Sequence, residues 1–328
     1  SDIRDKLWDA EGNNHVGMIF KSMEWRVDRL AVAAEDAAAL LKTFASLQDE
    51  LHRLLAAVQD KNLPAPARLA PVLEHFKTRT KNELQNTFSK GNFFRNEAVS
   101  NSDIFNAIPK LFLYIGKYRL GILGAAGNHF LDLMKISQTI DKEKAEKFGL
   151  FPGQYVFLMH TGSGLLGQYA SYMFTPKKKE HLSQRIILKL GTLFFKSQLR
   201  KVYSNVAKKV AGHKNLPEFL GYDDMSLEGK MFMTSHKAAA NFGFANRSVI
   251  THNLDMALEK VFGKQIELDL LYDTTHISIE KENHYGKDVW VHRNGSVRAN
   301  GPKRMKDHAL FSETGEPVFI PSSMSTPA

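Results

Sequence analysis

The spacing of apolar residues changes near residue 120, and this change limits the choice of fold more than any other feature of the chain. From residue 21 to about residue 60, apolar side chains recur at steps of three and four, as on one face of an amphipathic helix. The recurring positions are Val27, Leu30, Ala34, Ala38, Leu41 and Phe44. Beyond residue 120, short β-rich runs at residues 156–159 and 288–291 alternate with helical stretches and glycine-marked turns.

This order of patterns predicts an α+β fold. We expect one domain over residues 1–328, in which a predominantly helical part at about residues 20–110 packs on a mixed β core within residues 120–328. Hydrophobic residues make up 43% of the chain, which is enough for a sizeable core and argues against disorder of the whole chain.

The chain contains no cysteine. This excludes disulfide scaffolds, cysteine-ligated zinc, thiol catalysis and iron–sulfur clusters. The strong metal ligands that remain are the carboxylates and the 13 histidines. No apolar run is long enough to span a bilayer, and the first residues lack an apolar signal core. We therefore expect a soluble intracellular protein without a membrane partner, cytoplasmic by default, with an organelle such as the mitochondrion left open.

Positive charge is concentrated in one segment. The whole chain carries a formal net charge of +9, and residues 171–214 alone contain eleven Lys or Arg and one acid, Glu180. Such a segment is either a solvated helix face or a surface that contacts an RNA or DNA backbone, where clustered cations displace counterions from phosphates. The candidate RNA-binding residues are Lys177, Lys178, Lys179, Arg185, Arg200, Lys201, Lys208 and Lys209.

Four short segments combine glycine, histidine and small polar residues. They lie at residues 120–132, 160–167, 273–276 and 292–298. Glycine lets backbone N–H groups approach a phosphate closely, and imidazole can bind a divalent metal. Each segment alone is a weak signal, because a single histidine beside a turn is more often a hydrogen-bonded structural residue.

Taken in their order along the chain, these segments resemble the RtcB family of RNA ligases. The resemblance includes a Gly-Asn-His-Phe sequence, a His-Thr-Gly-Ser turn and an Ala-Asn-Phe-Gly-Phe-Ala-Asn-Arg helix. The matching segments lie at residues 127–130, 160–163, 240–247, 273–276, 292–295 and 315–324.

The resemblance implies an activity and a set of site residues. The family joins RNA ends that carry a 3′-phosphate or 2′,3′-cyclic phosphate to 5′-hydroxyl ends, using GTP and Mn²⁺ through a guanylylated histidine. By position, His129, His160 and His276 resemble the family's metal-binding histidines. The residues that resemble parts of its guanine-nucleotide site are Asn128, Asp132, Pro321, Ser322, Ser323 and Met324. RNA is then the expected partner, with protein partners if the chain belongs to an assembly.

Several positions depart from the family pattern. The family's metal loop supplies an aspartate and a bridging cysteine, and the segment that resembles it, residues 12–18, contains neither. Gly164, Ile277 and Asn294 stand where the family has arginine, asparagine and lysine. The family's guanylylated histidine lies downstream of the turn at residues 321–324, beyond the last residue of this sequence.

These departures lead to three hypotheses. The first is a diverged, catalytically impaired RtcB-like protein that associates with RNA, as a subunit of a larger ribonucleoprotein assembly. The second is an RNA ligase of the RtcB type, active alone or completed by a partner chain. The third is a structural subunit that recognises only protein.

Overall fold

The computed structural model describes residues 23–30, 49–50, 81, 83–95, 97–123, 129–174, 195–212, 221–266 and 268–319. The strands in these ranges are β1 (Met23–Leu30), β2 (Phe130–Lys135), β3 (Tyr155–Gly162), β4 (Leu268–Thr275), β5 (Ile277–His284) and β6 (Lys287–Asn294). The α-helices are α1 (Asn101–Ala107), α2 (Lys110–Tyr118), α3 (Lys142–Lys147), α4 (Leu165–Phe174), α5 (Ser197–Gly212), α6 (Leu227–Phe262) and α7 (Pro302–Met305). Two short 3₁₀ helices are Leu84–Asn86 and Phe88–Gly91. The predicted α+β class is confirmed.

The main sheet has four strands in the order β2-β3-β1-β4. All three of its ladders are antiparallel, and β5 and β6 form a separate antiparallel pair. Among the described residues, parallel pairing is limited to one isolated bridge between Thr87 and Asp273, so the mixed pairing that we expected amounts to that bridge. The strand β1 therefore lies between β3 and β4, in the middle of the sheet.

The structure corrects the predicted helix at its start. Residues 23–30 form β1, so the helical interpretation of Val27 and Leu30 is wrong. The strand alternates with a period of two, but its inward side chains are the charged Arg26 and Asp28, both fully buried. A search for apolar positions does not detect that alternation. The rest of the predicted helix, at about residues 31–60, lies almost wholly outside the described residues and stays a prediction.

Two predicted strands are confirmed. Residues 156–159 lie within β3, which is buried along its whole length and therefore appears in the sequence as a continuous apolar run. Residues 288–291 lie within β6, whose residues are exposed or half-buried and alternate in character toward its end. Sequence spacing thus locates both a buried and a surface strand.

The helix α6, with 36 residues, is the structural centre of the described chain. It begins after Ser226, whose Oγ accepts a hydrogen bond from the N–H of Gly229 at 3.0 Å, and ends at Gly263, which has a left-handed φ of +66°. One part of α6 packs with α1, α2, α4 and α5 in an apolar cluster, and a later part packs against the sheet in a second cluster. Among the described residues, no helix combines the length and apolar character needed to cross a membrane.

Candidate active site

Three histidines from separate elements meet at one end of the main sheet. His129 directly precedes β2, His160 lies near the end of β3, and His276 follows β4. The ring centroids of His129 and His160 are 5.9 Å apart, and those of His160 and His276 are 5.2 Å apart. The antiparallel register, in which Phe130 lies opposite His160, produces this meeting. The structure therefore brings together the three histidines named from sequence, and their role as metal ligands stays a prediction.

Burial determines the protonation of His276, whose side chain is largely enclosed at 6% exposure. This burial, with the positive potential of His160 and Arg247, lowers the pKa of His276 to about 3. The ring is therefore neutral at physiological pH. A neutral imidazole is the form that can donate a lone pair to a metal ion.

A hydrogen bond determines the tautomer of the neighbouring His129. Its Nδ1 lies 2.9 Å from the carbonyl oxygen of Leu123, and since a carbonyl only accepts, Nδ1 donates. In the neutral ring the lone pair then resides on Nε2. A backbone carbonyl that fixes a ring in this way is the usual support of a histidine metal ligand.

The side chain of Asn246 on α6 joins the segments that carry His129 and His160. Its Oδ1 accepts a hydrogen bond from the N–H of Gly121 at 2.8 Å. Its Nδ2 donates to the carbonyl oxygens of Ile122 at 3.1 Å and Gly162 at 3.3 Å. The amide is 3% exposed, so these bonds form in a region of low dielectric constant and hold the two segments in register.

The next residue, Arg247, ties the sheet to the same helix. Its Nε donates to Asp273 Oδ1 at 2.8 Å and its Nη1 donates to the carbonyl oxygen of Thr161 at 3.1 Å. Arg247 and Asp273 are fully buried, and burial raises the pKa of Asp273 to about 6 and lowers that of Arg247. The ends of β3 and β4, which bear His160 and His276, are thus fixed to one turn of α6.

A second buried ion pair lies within strand β1. Arg26 donates through Nε to Asp28 at 2.9 Å and through Nη2 to Glu83 at 2.7 Å. Burial opposes the charge of Arg26, but the two carboxylates outweigh it and raise its pKa. Sequence reasoning missed this group, and the only signal was the charged alternation within β1.

The strand β1 leads its preceding segment to the histidines. Met23 pairs with Gly162 and Glu24 pairs with Thr275, so the first residues of β1 lie at the sheet end that carries His160. The segment that resembles the family's metal loop, residues 12–18, lies outside the described residues. Four residues, 19–22, lie between it and Met23 in the sequence.

The donor chemistry suits a divalent metal ion, because three imidazoles meet and one of them is held neutral. Within the described ranges, however, no group of three or more His, Cys, Asp or Glu side chains is placed as a metal-binding set. The described side chains alone therefore do not enclose a complete set of ligands.

The structure describes one residue of the predicted nucleotide site. Asp132 lies on β2 opposite Leu158 and is exposed, and partial burial of its carboxyl raises the pKa. It is two residues from Phe130, so it projects from the same face of the sheet as His160. Asn128 and residues 321–324 lie outside the described ranges.

The predicted RNA-binding cations are described in part. Arg200, Lys201 and Lys208 are exposed on α5, whose opposite face packs in the core through Leu199 and Val202. The side chains of the other five lie outside the described part of the chain: Lys177, Lys178, Lys179, Arg185 and Lys209. The exposed face of α5 is compatible with both the solvated and the RNA-binding interpretation.

One of two cavities near the sheet borders a histidine of the candidate site. A small cavity of about 30 Å³, which has room for about one water molecule, is lined by Arg119, His129, Ser163 and Asn246 among others. A larger one of about 320 Å³ lies on the face of the sheet away from α6, with a mainly apolar lining that includes Leu158.

Comparison with known proteins gives one consistent result. The family model described as tRNA-splicing ligase RtcB matches residues 29–328. The tRNA-splicing ligases RtcB of Pyrococcus horikoshii and Methanococcus maripaludis are each 32% identical to the chain over 223 residues, which is 64% of this chain and 22% and 40% of those proteins. That of Pyrococcus furiosus is 34% identical over 219 residues, 64% of this chain and 20% of that protein. The matched part thus spans less than half the length of these relatives.

Proposed function

The chain belongs to the RtcB family, and on that premise we propose that it is an RNA ligase that uses Mn²⁺ and GTP, alone or with a partner chain. The observation that carries the proposal is the meeting of His129, His160 and His276 from three separate elements at one end of the sheet. One of these rings, His276, is kept neutral by burial. Three titratable bases placed this close favour a common ligand over three unrelated structural roles.

In this proposal, separate sets of residues bind the metal ion, position the backbone and contact the substrates. His129, His160 and His276 would supply imidazole donors to a divalent ion, with further ligands from outside the described residues, and such an ion would polarise a phosphate oxygen. Asn246 and Arg247 fix the backbone on both sides of these rings, so the donors need little reorganisation when the substrate binds. The cations of α5 would attract the RNA backbone, and Asp132, on the same face of the sheet as His160, would contribute to the nucleotide site.

Metal uptake by purified protein tests the proposal. Titrating Mn²⁺ while following the paramagnetic resonance signal of the free ion should show a stoichiometric site in the wild-type chain. His160→Ala should abolish this site. His284→Ala is the matched control, because His284 pairs with Glu282 on the hairpin and is expected to leave uptake unchanged. Equal uptake by wild type and His160→Ala would contradict the proposal.

Ligation is measured separately on two RNA fragments, one ending in a 3′-phosphate and one beginning with a 5′-hydroxyl, with GTP and Mn²⁺. A joined product that requires both reagents, and is lost in His160→Ala, is the expected result. Since the chain spans less than half of its relatives' length, the assay is repeated with candidate partner chains. The absence of product in every combination would reject the ligase.

A second function is favoured by the substituted positions. Gly164 has a left-handed φ of +51°, a backbone conformation that the family's arginine would adopt only with strain. Ile277 is an apolar residue at 1% exposure, where the family has an asparagine. A chain that binds RNA without joining it would show affinity that falls steeply with salt, but neither Mn²⁺ uptake nor product.

A further inference from the structure

The helix α2 carries an exposed apolar stripe beside the candidate active site. Its inner face packs through Phe112 and Gly116, and Gly116 approaches Leu166 of α4 so closely that a Cβ would lie 3.5 Å from it. The outer face carries two aliphatic and two tyrosine side chains within an arc of about 100°. We call this surface the tyrosine patch, and it consists of Leu111, Tyr114, Ile115 and Tyr118.

The two tyrosines of the patch form an ordered pair. Tyr114 is 58% exposed, and its ring centroid lies 4.8 Å from that of Tyr118 in an edge-on arrangement. Their hydroxyl oxygens are 2.6 Å apart, so the pair shares a hydrogen bond. Aromatic side chains that are already positioned lose little conformational entropy when a ligand binds.

The segment that carries the patch has charged residues of one sign. No Asp or Glu occurs from residue 104 to residue 131. Lys110 and Lys117 flank the stripe on one side and Arg119 on the other, and all three are exposed. Lys196, beside α5, donates to Asn106 Oδ1 at 2.9 Å, which extends the basic surface of α5 toward α2. Aromatic rings that share a helix with cations and with no acidic residue are complementary to a polyanion with flat faces.

Arg119 connects the edge of the patch to the histidines. It is exposed beside the stripe, and it also lines the small cavity that contains His129 and Ser163. A strand of nucleic acid that lies on the patch and contacts Arg119 therefore approaches the sheet end where the rings meet.

We propose that the tyrosine patch is a stacking platform for single-stranded RNA next to the reacting end, with bases on Tyr114 and Tyr118 and phosphates near Lys117 and Arg119. The inference deepens the proposed function and rests on it, because it assumes RNA at the histidine site. The charge pattern favours RNA over a protein partner, because lysine is depleted at protein interfaces, whereas lysine and arginine beside aromatic rings suit a phosphate backbone with exposed bases.

Fluorescence anisotropy with a labelled oligoadenylate of about ten nucleotides tests the platform. Tyr114→Ala and Tyr118→Ala should each weaken binding roughly five- to tenfold, because an exposed stacking contact is lost. Tyr114→Phe keeps the ring and should bind like wild type. Phe151→Ala is the matched control, since Phe151 is an exposed aromatic residue, at 51%, outside the patch.

Two further measurements distinguish base stacking on the patch from other roles of these residues. Duplex RNA of the same sequence has no free base faces, so the two alanine variants should bind it with wild-type affinity. Lys117→Ala should reduce the slope of log Kd against log salt by about 0.7. If wild type binds RNA and both alanine variants match it, the platform is refuted while the proposed function stands. If those variants instead lose self-association in light scattering, the patch is a protein contact and the inference is equally refuted. Wild type without RNA affinity would reject the proposed function itself.

Discussion

Replacing Arg247 with methionine is expected to destabilise the protein by about 4 kcal/mol. Removing one partner of a buried ion pair typically costs about 3–5 kcal/mol, because the other charge stays in a medium of low dielectric constant. Here Asp273 is 1% exposed and keeps only the more distant attraction of Arg26. The carbonyl oxygen of Thr161 also loses its donor at 3.1 Å, which adds about 1 kcal/mol, while the methionine side chain retains much of the packing.

A double-mutant cycle isolates the pair. Asp273→Asn keeps the Oδ1 acceptor for Arg247 but removes the countercharge, and is expected to cost about 2 kcal/mol. In Arg247→Met with Asp273→Asn no uncompensated charge of the pair remains. The double variant should therefore be more stable than the sum of the single effects predicts, with a coupling of about 2 kcal/mol or more.

Urea unfolding at pH 7.5, followed by far-ultraviolet circular dichroism, measures all four proteins. The comparison requires that the slope of free energy against urea is the same for each variant, since a changed slope signals a changed unfolded or native state. Single effects that add to within about 0.5 kcal/mol would refute the argument that Arg247 and Asp273 act as a coupled pair.

Three further predictions concern the helix α6. Asn246→Ala should lower the free energy of unfolding by about 3 kcal/mol in denaturant melts, because three buried backbone groups lose their partner, and a loss below about 1 kcal/mol would contradict its positioning role. Burial, with the charges of Lys237 and His292, lowers the pKa of His236 to about 4, so the unfolded chain takes up a proton near pH 6.5 that the folded chain binds only near pH 4. This histidine therefore makes stability fall by about 1.4 kcal/mol per pH unit as the pH drops from about 6 to 4, and urea midpoints at pH 7, 6 and 5 that do not change would disprove it. Ser226→Ala should cost about 1 kcal/mol through loss of the N-cap, and thermal unfolding should show Ser226→Asp restoring most of it.

The local sequence pattern predicts a strand correctly where the polarity of its residues matches their burial. The run at residues 156–159 is apolar because β3 is buried on both faces, so its sequence and its environment carry the same information. In β1 they conflict, because Arg26 and Asp28 are buried as an ion pair while Val27 lies on the opposite face. A rule that assigns charged residues to solvent then interprets the strand as part of a helix.

The candidate site can likewise be predicted from the sequence only in part. The order of their segments along the chain identifies the three histidines without coordinates. Sequence does not identify the residues that support them, because the hydrogen bonds of Asn246 to Gly121 and of Arg247 to Thr161 join residues 125 and 86 positions apart. Residue type alone does not distinguish an asparagine that binds a ligand from one that joins two loops.

Asn246 and Arg247 are neighbours on α6, so their contacts couple the positions of the three histidines. Successive residues on one turn of α6 hold the segment before His129, the end of β3 that carries His160, and the strand that leads to His276. The three rings are therefore not independently placed, because a shift of this turn along its axis moves the anchors of all three together. Single substitutions on α6 should thus disturb the histidines as a group, whereas substitution of one histidine removes one donor and leaves the other two in place.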